Sequence, residues 1–83
     1  MSDQSKLEIL KAISEDAVPG KAERFSFNAF GKNLGLGKDQ IDTYLTELNK
    51  EKYLAQYAKK GVDSFTVEIK QKGLDAIEDG NFG

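Results

Sequence analysis

The segment NLGLGKDQI, residues 33–41, constrains the fold of this chain more than any other stretch. It places Gly35 and Gly37 on either side of one leucine, with short helical patterns before and after them. Glycine readily adopts the backbone conformations that reverse a chain within so few residues. The segment therefore predicts two helices joined by a tight turn.

Amphipathic patterns predict the first two helices. Apolar residues at three- and four-residue spacing indicate one helix from Ser5 to about Asp16. Residues 28–34 indicate a short second helix, with Asn28 as its N-cap and Gly35 at its end.

A third helix is expected to begin after Gly37, with Gln40 capping its first turn. At 100° per residue, its polar face lies opposite its apolar face. The inward residues are expected to be Ile41, Tyr44, Leu45 and Leu48, and the outward ones Asp39, Thr43, Thr46 and Lys50, flanked by Asp42, Glu47 and Asn49.

Alternating patterns predict three strands. Residues 23–27 form a short one, with Phe25 and Phe27 on one side, and residues 53–58 and 64–69 form two more, joined by a hairpin loop at 59–63. The last strand is expected to bury Phe65, Val67 and Ile69, and a closing helix at 71–80 is expected to bury Leu74 and Ile77.

Length and composition limit the function. The 83 residues, 39% of them hydrophobic, predict a single domain at 1–83 with frayed ends at 1–4 and 80–83. The chain has neither cysteine nor histidine and no pairing of a nucleophile with a base, so we expect no enzyme, cofactor or metal site. Without a signal peptide or a membrane-spanning segment in the sequence, we expect a soluble, cytoplasmic protein.

The segments FGKNLGLGKDQIDTYLTELNKEKYLAQY and FTVEIKQKGLDAI carry a resemblance to a known superfamily. Residues 5–79 resemble a winged helix-turn-helix domain, similar to MarR- and PadR-type regulators and to small winged-helix proteins of phages and mobile elements. The resemblance implies an α+β fold with a three-helix core, a short strand, a β-hairpin wing and a closing C-terminal helix. It also implies that Gly31 is the small residue at the crossing of the second and third helices.

The resemblance implies double-stranded DNA binding by a small regulator or accessory factor, and it leaves open whether a homodimer forms. Helix 38–51 would enter the major groove, and the wing at 58–63 would lie on the backbone or in the minor groove. Lys70 and Lys72 could add charge nearby. The implied DNA-binding residues are Lys38, Gln40, Thr43, Thr46, Lys50, Lys59 and Lys60.

Charge leaves a second class of function open. The net charge is −2, although residues 53–72 carry four lysines and two carboxylates. Asp39, Asp42 and Glu47 place negative charge on the helix that would meet DNA phosphates. The alternative is therefore a protein-interaction module of the same fold, such as an antirepressor or adaptor, whose acidic helix face docks on a basic partner.

Overall fold

The computed structural model describes residues 3–82, which form an α+β fold with four helices and a three-stranded antiparallel sheet. In chain order the elements are α1 (Asp3–Asp16), β1 (Glu23–Ser26), α2 (Phe27–Leu34), α3 (Lys38–Lys50), β2 (Leu54–Lys60), β3 (Ser64–Ile69) and α4 (Gln71–Asp79). The strand order is β1–β3–β2, so the last strand of the chain is central and the hairpin extends the sheet begun by β1.

The core lies between the inner face of the sheet and the helices. The alternation predicted for β3 is confirmed, since Phe65, Val67 and Ile69 are all buried. Phe65 also contacts the rings of Phe25, Phe27 and Phe30 at centroid distances between 4.7 and 5.5 Å. From α3, the core receives Ile41, Leu45 and Leu48, whereas Tyr44 is only half-buried.

The junction of β1 and α2 differs from the expectation. Asn28 is not the N-cap, because the helix already begins at Phe27 and its N-cap is Ser26. The Ser26 hydroxyl accepts a hydrogen bond from the Ala29 amide at 3.2 Å. Since the strand ends at Ser26, the Phe27 side chain reaches the core from the first turn of the helix.

The turn between α2 and α3 agrees with the glycine pattern. Gly35 ends α2 with φ 71°, and its amide donates to the Gly31 carbonyl at 2.7 Å. A Cβ at Gly31 would lie 2.6 Å from the Leu36 carbonyl oxygen and 3.6 Å from Cδ1 of Ile41 in α3. A small residue is therefore required at Gly31, as expected. The closest group is the backbone of the turn rather than a residue of α3.

Helix α4 packs through small residues. Gly73 and Ala76 are its buried residues, and the expected pair, Leu74 and Ile77, is only half-buried. A Cβ at Gly73 would lie 2.5 Å from the Tyr53 carbonyl oxygen. The helix therefore lies against backbone, which leaves no space for a large side chain on its inner face.

Near the two chain ends, the structure describes a helix start and one aromatic contact. Helix α1 begins at Asp3 rather than at Ser5. Phe82 packs edge-on against Tyr53 at 5.0 Å between ring centroids, and the Tyr53 hydroxyl donates to the Phe82 carbonyl at 3.1 Å. Within the segments expected to fray, residues 1, 2 and 83 lie outside the described residues.

Candidate nucleic-acid interface

The outward face of α3 presents short polar side chains and one lysine. Thr43, Thr46 and Lys50 are exposed, as predicted, and their spacing of three and four residues aligns them along one side of the helix. A helix of 13 residues is about 20 Å long. Together these residues form a continuous exposed stripe.

Two of the candidate contact residues at the start of α3 have structural partners. Lys38 donates from Nζ to the Val62 carbonyl at 2.6 Å, and its ammonium lies 5.3 Å from the centre of the Phe27 ring. Gln40 Oε1 accepts from the Gly37 amide at 3.1 Å, which confirms the predicted cap. Both side chains are exposed, yet both stabilise the protein's own fold.

The carboxylates of α3 are less available than the helical pattern predicted. Asp42 is half-buried and faces the hairpin, where it accepts from the Tyr57 hydroxyl at 2.6 Å and pairs with Lys59 Nζ at 3.6 Å. Glu47 pairs with Lys6 of α1, a buried lysine, at 3.0 Å. Asp42 and Glu47 thus lie at the flanks of the polar face, as the helical pattern predicted, and each is paired with a lysine of the protein.

Tyr57, a residue of β2, bonds to α3 through both its side chain and its backbone. Burial raises the pKa of its phenol above the ordinary value, and the hydrogen bond to the Asp42 carboxylate raises it further. Its backbone amide donates to Oδ1 of Asn49, also in α3, at 3.2 Å. Two side chains of α3 thus hold this one residue of β2.

A β-bulge explains why the Tyr57 amide is free to bond with α3. Ala55 pairs with Glu68 and Ala58 pairs with Thr66, so Gln56 and Tyr57 face a single residue of β3. Gln56 has φ 56°, in the left-handed region. Sequence patterning did not predict the bulge, because neither glycine nor proline marks its position in YLAQYA.

The tip of the hairpin is attached to the helices. Lys59 and Lys60 lie in β2 rather than in the loop, which is confined to residues 61–63. Lys59 is paired with Asp42, and Lys60 is exposed. The expectation of a loop over residues 59–63 is therefore wrong for both lysines.

Asp63 attaches the hairpin tip to the start of α2, in addition to the Lys59–Asp42 pair that attaches it to α3. Its carboxylate accepts from the Ser26 hydroxyl at 2.5 Å and from the Asn28 amide at 3.0 Å, and its carbonyl accepts from the Phe27 amide at 2.6 Å. The aspartate thereby satisfies amides at the start of α2 that would otherwise lack partners. Sequence reasoning missed this role, because the helix that Asp63 caps lies 35 residues earlier in the chain.

Lys70 and Lys72, expected to add charge near the wing, differ in their surroundings. Lys72 donates from Nζ to the Glu51 carbonyl at 2.9 Å and lies 4.4 Å from the centre of the Tyr53 ring. Lys70 is exposed and lines a groove beside the C-terminal end of α3. Lys70 thus lies beside the first residues of β2, whereas Lys72 packs against the residues that precede β2.

Three other kinds of evidence bear on the site. Across residues 3–82, no cluster of three acidic side chains is placed to bind a metal ion, and no helix has the length and apolarity needed to cross a membrane. Comparison with known proteins found no matching family model, curated protein or solved structure. The class of the protein is therefore defined by its own fold, a small α+β domain with four helices and a three-stranded antiparallel sheet.

Proposed function

We propose that this protein is a winged-helix domain that binds double-stranded DNA as a small regulator or accessory factor. In this proposal α3 enters the major groove and the β2–β3 hairpin, the wing, lies along the backbone or the minor groove. Two features of the fold support it. The sheet has the order β1–β3–β2, and a tight turn containing Gly35 joins α2 to α3, whose outer face is exposed.

The exposed stripe of α3 carries the proposal. A helix is about 10–12 Å wide, and the major groove of B-DNA, at about 12 Å, accepts it. The methyl groups of Thr43 and Thr46 suit contact with thymine methyls, and their hydroxyls can bond to base edges. Lys50 supplies a cation for a phosphate at the end of the same stripe.

The internal partners of Lys38 and Gln40 refine the proposed set of contacts. Lys38 would have to leave the Val62 carbonyl to reach a phosphate or a guanine, and Gln40 would have to leave the cap of α3 to read an adenine. Both changes would weaken contacts that hold the fold. We therefore assign base reading chiefly to Thr43 and Thr46, and charge attraction to Lys50 and Lys60.

The pairing of the α3 carboxylates favours DNA over a basic protein partner. Lys59 and Lys6 offset Asp42 and Glu47 within the fold, which leaves Asp39 as the exposed carboxylate of this set. An acidic docking surface needs several free carboxylates close together. The alternative reading, an antirepressor or adaptor that uses this face, accordingly becomes an outcome of the test below.

The test measures fluorescence anisotropy of a labelled random-sequence duplex at two salt concentrations. Thr46→Glu places a negative charge on the exposed stripe, and Lys11→Gln on the exposed side of α1 changes the net charge by the same amount. We expect Thr46→Glu to weaken binding by about tenfold, equivalent to about 1.4 kcal/mol, and Lys11→Gln to change it much less.

Two results would contradict the proposal. Equal losses in Thr46→Glu and Lys11→Gln would show that only the overall charge matters and that α3 does not face DNA. No binding of the unchanged protein to duplex at low salt would exclude DNA and favour the protein-interaction alternative.

A further inference from the structure

A groove of about 310 Å³ lies between the C-terminal end of α3, the bulge in β2 and the residue that precedes α4. Lys50, Lys52 and Lys70 line it, and the polar residues Asn49 and Gln56 line it as well. All three lysines are exposed. Two segments that are separate in the sequence, residues 50–52 and Lys70, thus bring three lysines to one concave surface.

The lysines of this groove form no ion pair within residues 3–82, where the ion pairs involve Lys6 and Lys59. No carboxylate lines the groove itself. Carboxylates lie at its borders, since Glu68 accepts from the lining residue Gln56 at 3.1 Å, and Glu47 and Glu51 line a second pocket that shares Lys50. At the hairpin tip, by contrast, Lys59 is already paired with Asp42. The base of the hairpin is therefore a better site for an anion than its tip, where the sequence had placed the phosphate contacts.

The backbone of the groove is strained. Lys52 and Gln56 have φ values of 70° and 56°, and they are the non-glycine residues with positive φ among residues 3–82. Side chains with a Cβ rarely adopt this conformation, which glycine adopts easily. At Lys52 this conformation belongs to the end of α3, where the Lys52 amide donates to the Asn49 carbonyl at 3.2 Å and the Tyr53 amide donates to the Leu48 carbonyl at 3.0 Å. Glycine would fit this helix end at least as well as lysine, so the Lys52 side chain can be removed there without loss of stability.

We propose that this groove binds phosphate groups, and that in the DNA complex these belong to the backbone beside the major groove. The inference rests on the proposed function for the identity of that ligand. Lys50 links the two surfaces, because it ends the exposed stripe of α3 and also lines the groove. Lysine ammonium groups attract phosphates without reading bases, so the groove adds affinity and salt dependence rather than sequence preference.

The first arm of the test uses duplex DNA. Lys52→Gly combined with Lys70→Gln removes two charges from the groove, and Lys11→Gln combined with Lys21→Gln removes two exposed charges elsewhere. We expect the groove variant to reduce the slope of log affinity against log salt by about two, and the control to leave it nearly unchanged. Lys52→Gly alone should keep or raise the melting temperature, because glycine relieves the strain at that position.

The second arm tests the groove without DNA. Tripolyphosphate is titrated into the ¹⁵N-labelled protein at constant ionic strength, with sodium chloride as the control. We expect amide shifts confined to residues 49–56 and to Lys70, and their loss in the groove variant.

The outcomes separate the two proposals. If the salt slope is unchanged in the groove variant while Thr46→Glu still weakens binding, phosphate binding by the groove is contradicted and the proposed function stands. Tripolyphosphate shifts in a protein that does not bind duplex would support the phosphate site and overturn the proposed function. If tripolyphosphate causes no amide shifts and the salt slope does not change, the groove does not bind phosphate groups.

Discussion

Replacing Gly31 by alanine tests the closest contact in the turn between α2 and α3. The added Cβ would lie 2.6 Å from the Leu36 carbonyl oxygen, well inside van der Waals contact. That oxygen belongs to the backbone, so it cannot move aside as the end of a flexible side chain could. The turn must shift as a unit, and the Leu36 amide, which donates to the Gly31 carbonyl at 3.1 Å, must shift with it.

The expected magnitude is a difference between two effects. Overpacking of this kind costs about 1–3 kcal/mol. Alanine is favoured over glycine in a helix by about 1 kcal/mol, which offsets part of that cost. The offset can be measured at Lys32, an exposed neighbour in the same helix, as the difference between Lys32→Ala and Lys32→Gly.

Urea unfolding is measured for the unchanged protein, Gly31→Ala, Lys32→Ala and Lys32→Gly. The packing cost at Gly31 is the loss of stability in Gly31→Ala plus the stability difference between Lys32→Ala and Lys32→Gly. We expect a packing cost of about 2 kcal/mol, so the net loss in Gly31→Ala is about 1 kcal/mol, or roughly 4–8 °C in melting temperature for a domain of this size. A corrected cost below about 0.5 kcal/mol would show that the turn accommodates a methyl group and that Gly31 is not required for close approach.

Two further predictions concern the attachments of the hairpin. Because the pKa of Tyr57 is raised in the folded protein, the tyrosine favours folding below its ordinary pKa of 10.0, and this contribution is lost as pH rises above that value. Above pH 10.0 we expect the free energy of unfolding to fall more steeply with pH than in Tyr57→Phe; identical pH profiles would contradict the raised pKa of Tyr57. Asp63→Ala should lower the free energy of unfolding by about 1–2 kcal/mol and speed hydrogen exchange of the Asn28 amide. The control is Asp75→Ala, at an exposed position of α4, which should leave exchange of that amide unchanged.

Local patterns were enough to predict the order of the elements. Every helix and strand predicted from the sequence is present, and the burial of Phe65, Val67 and Ile69 follows from simple alternation. The turn after α2 was predictable because Gly35 adopts the left-handed conformation that its position requires. These features depend on neighbouring residues, which a single sequence displays directly.

The features that were not predicted depend on contacts across the chain. Asp63 caps a helix that precedes it by 35 residues, and Asp42 accepts from Tyr57, which lies in a bulge that leaves no mark in the sequence. Helical periodicity placed Asp42 beside the polar face but did not show that Tyr57 and Lys59 would bond to it. The set of residues free to contact DNA also differs from the prediction because of a contact across the chain. Lys38 donates to the Val62 carbonyl at the hairpin tip, 24 residues away.

The bulge in β2 also has a consequence for self-association. Because β3 is central, β2 and β1 are the two open edges of the sheet, where another chain could add a strand. The bulge at Gln56 interrupts the regular ladder of β2, and Lys59 and Lys60 follow it on the same edge. The opposite edge, β1, is only four residues long. Both edges therefore disfavour the addition of a strand from a second chain.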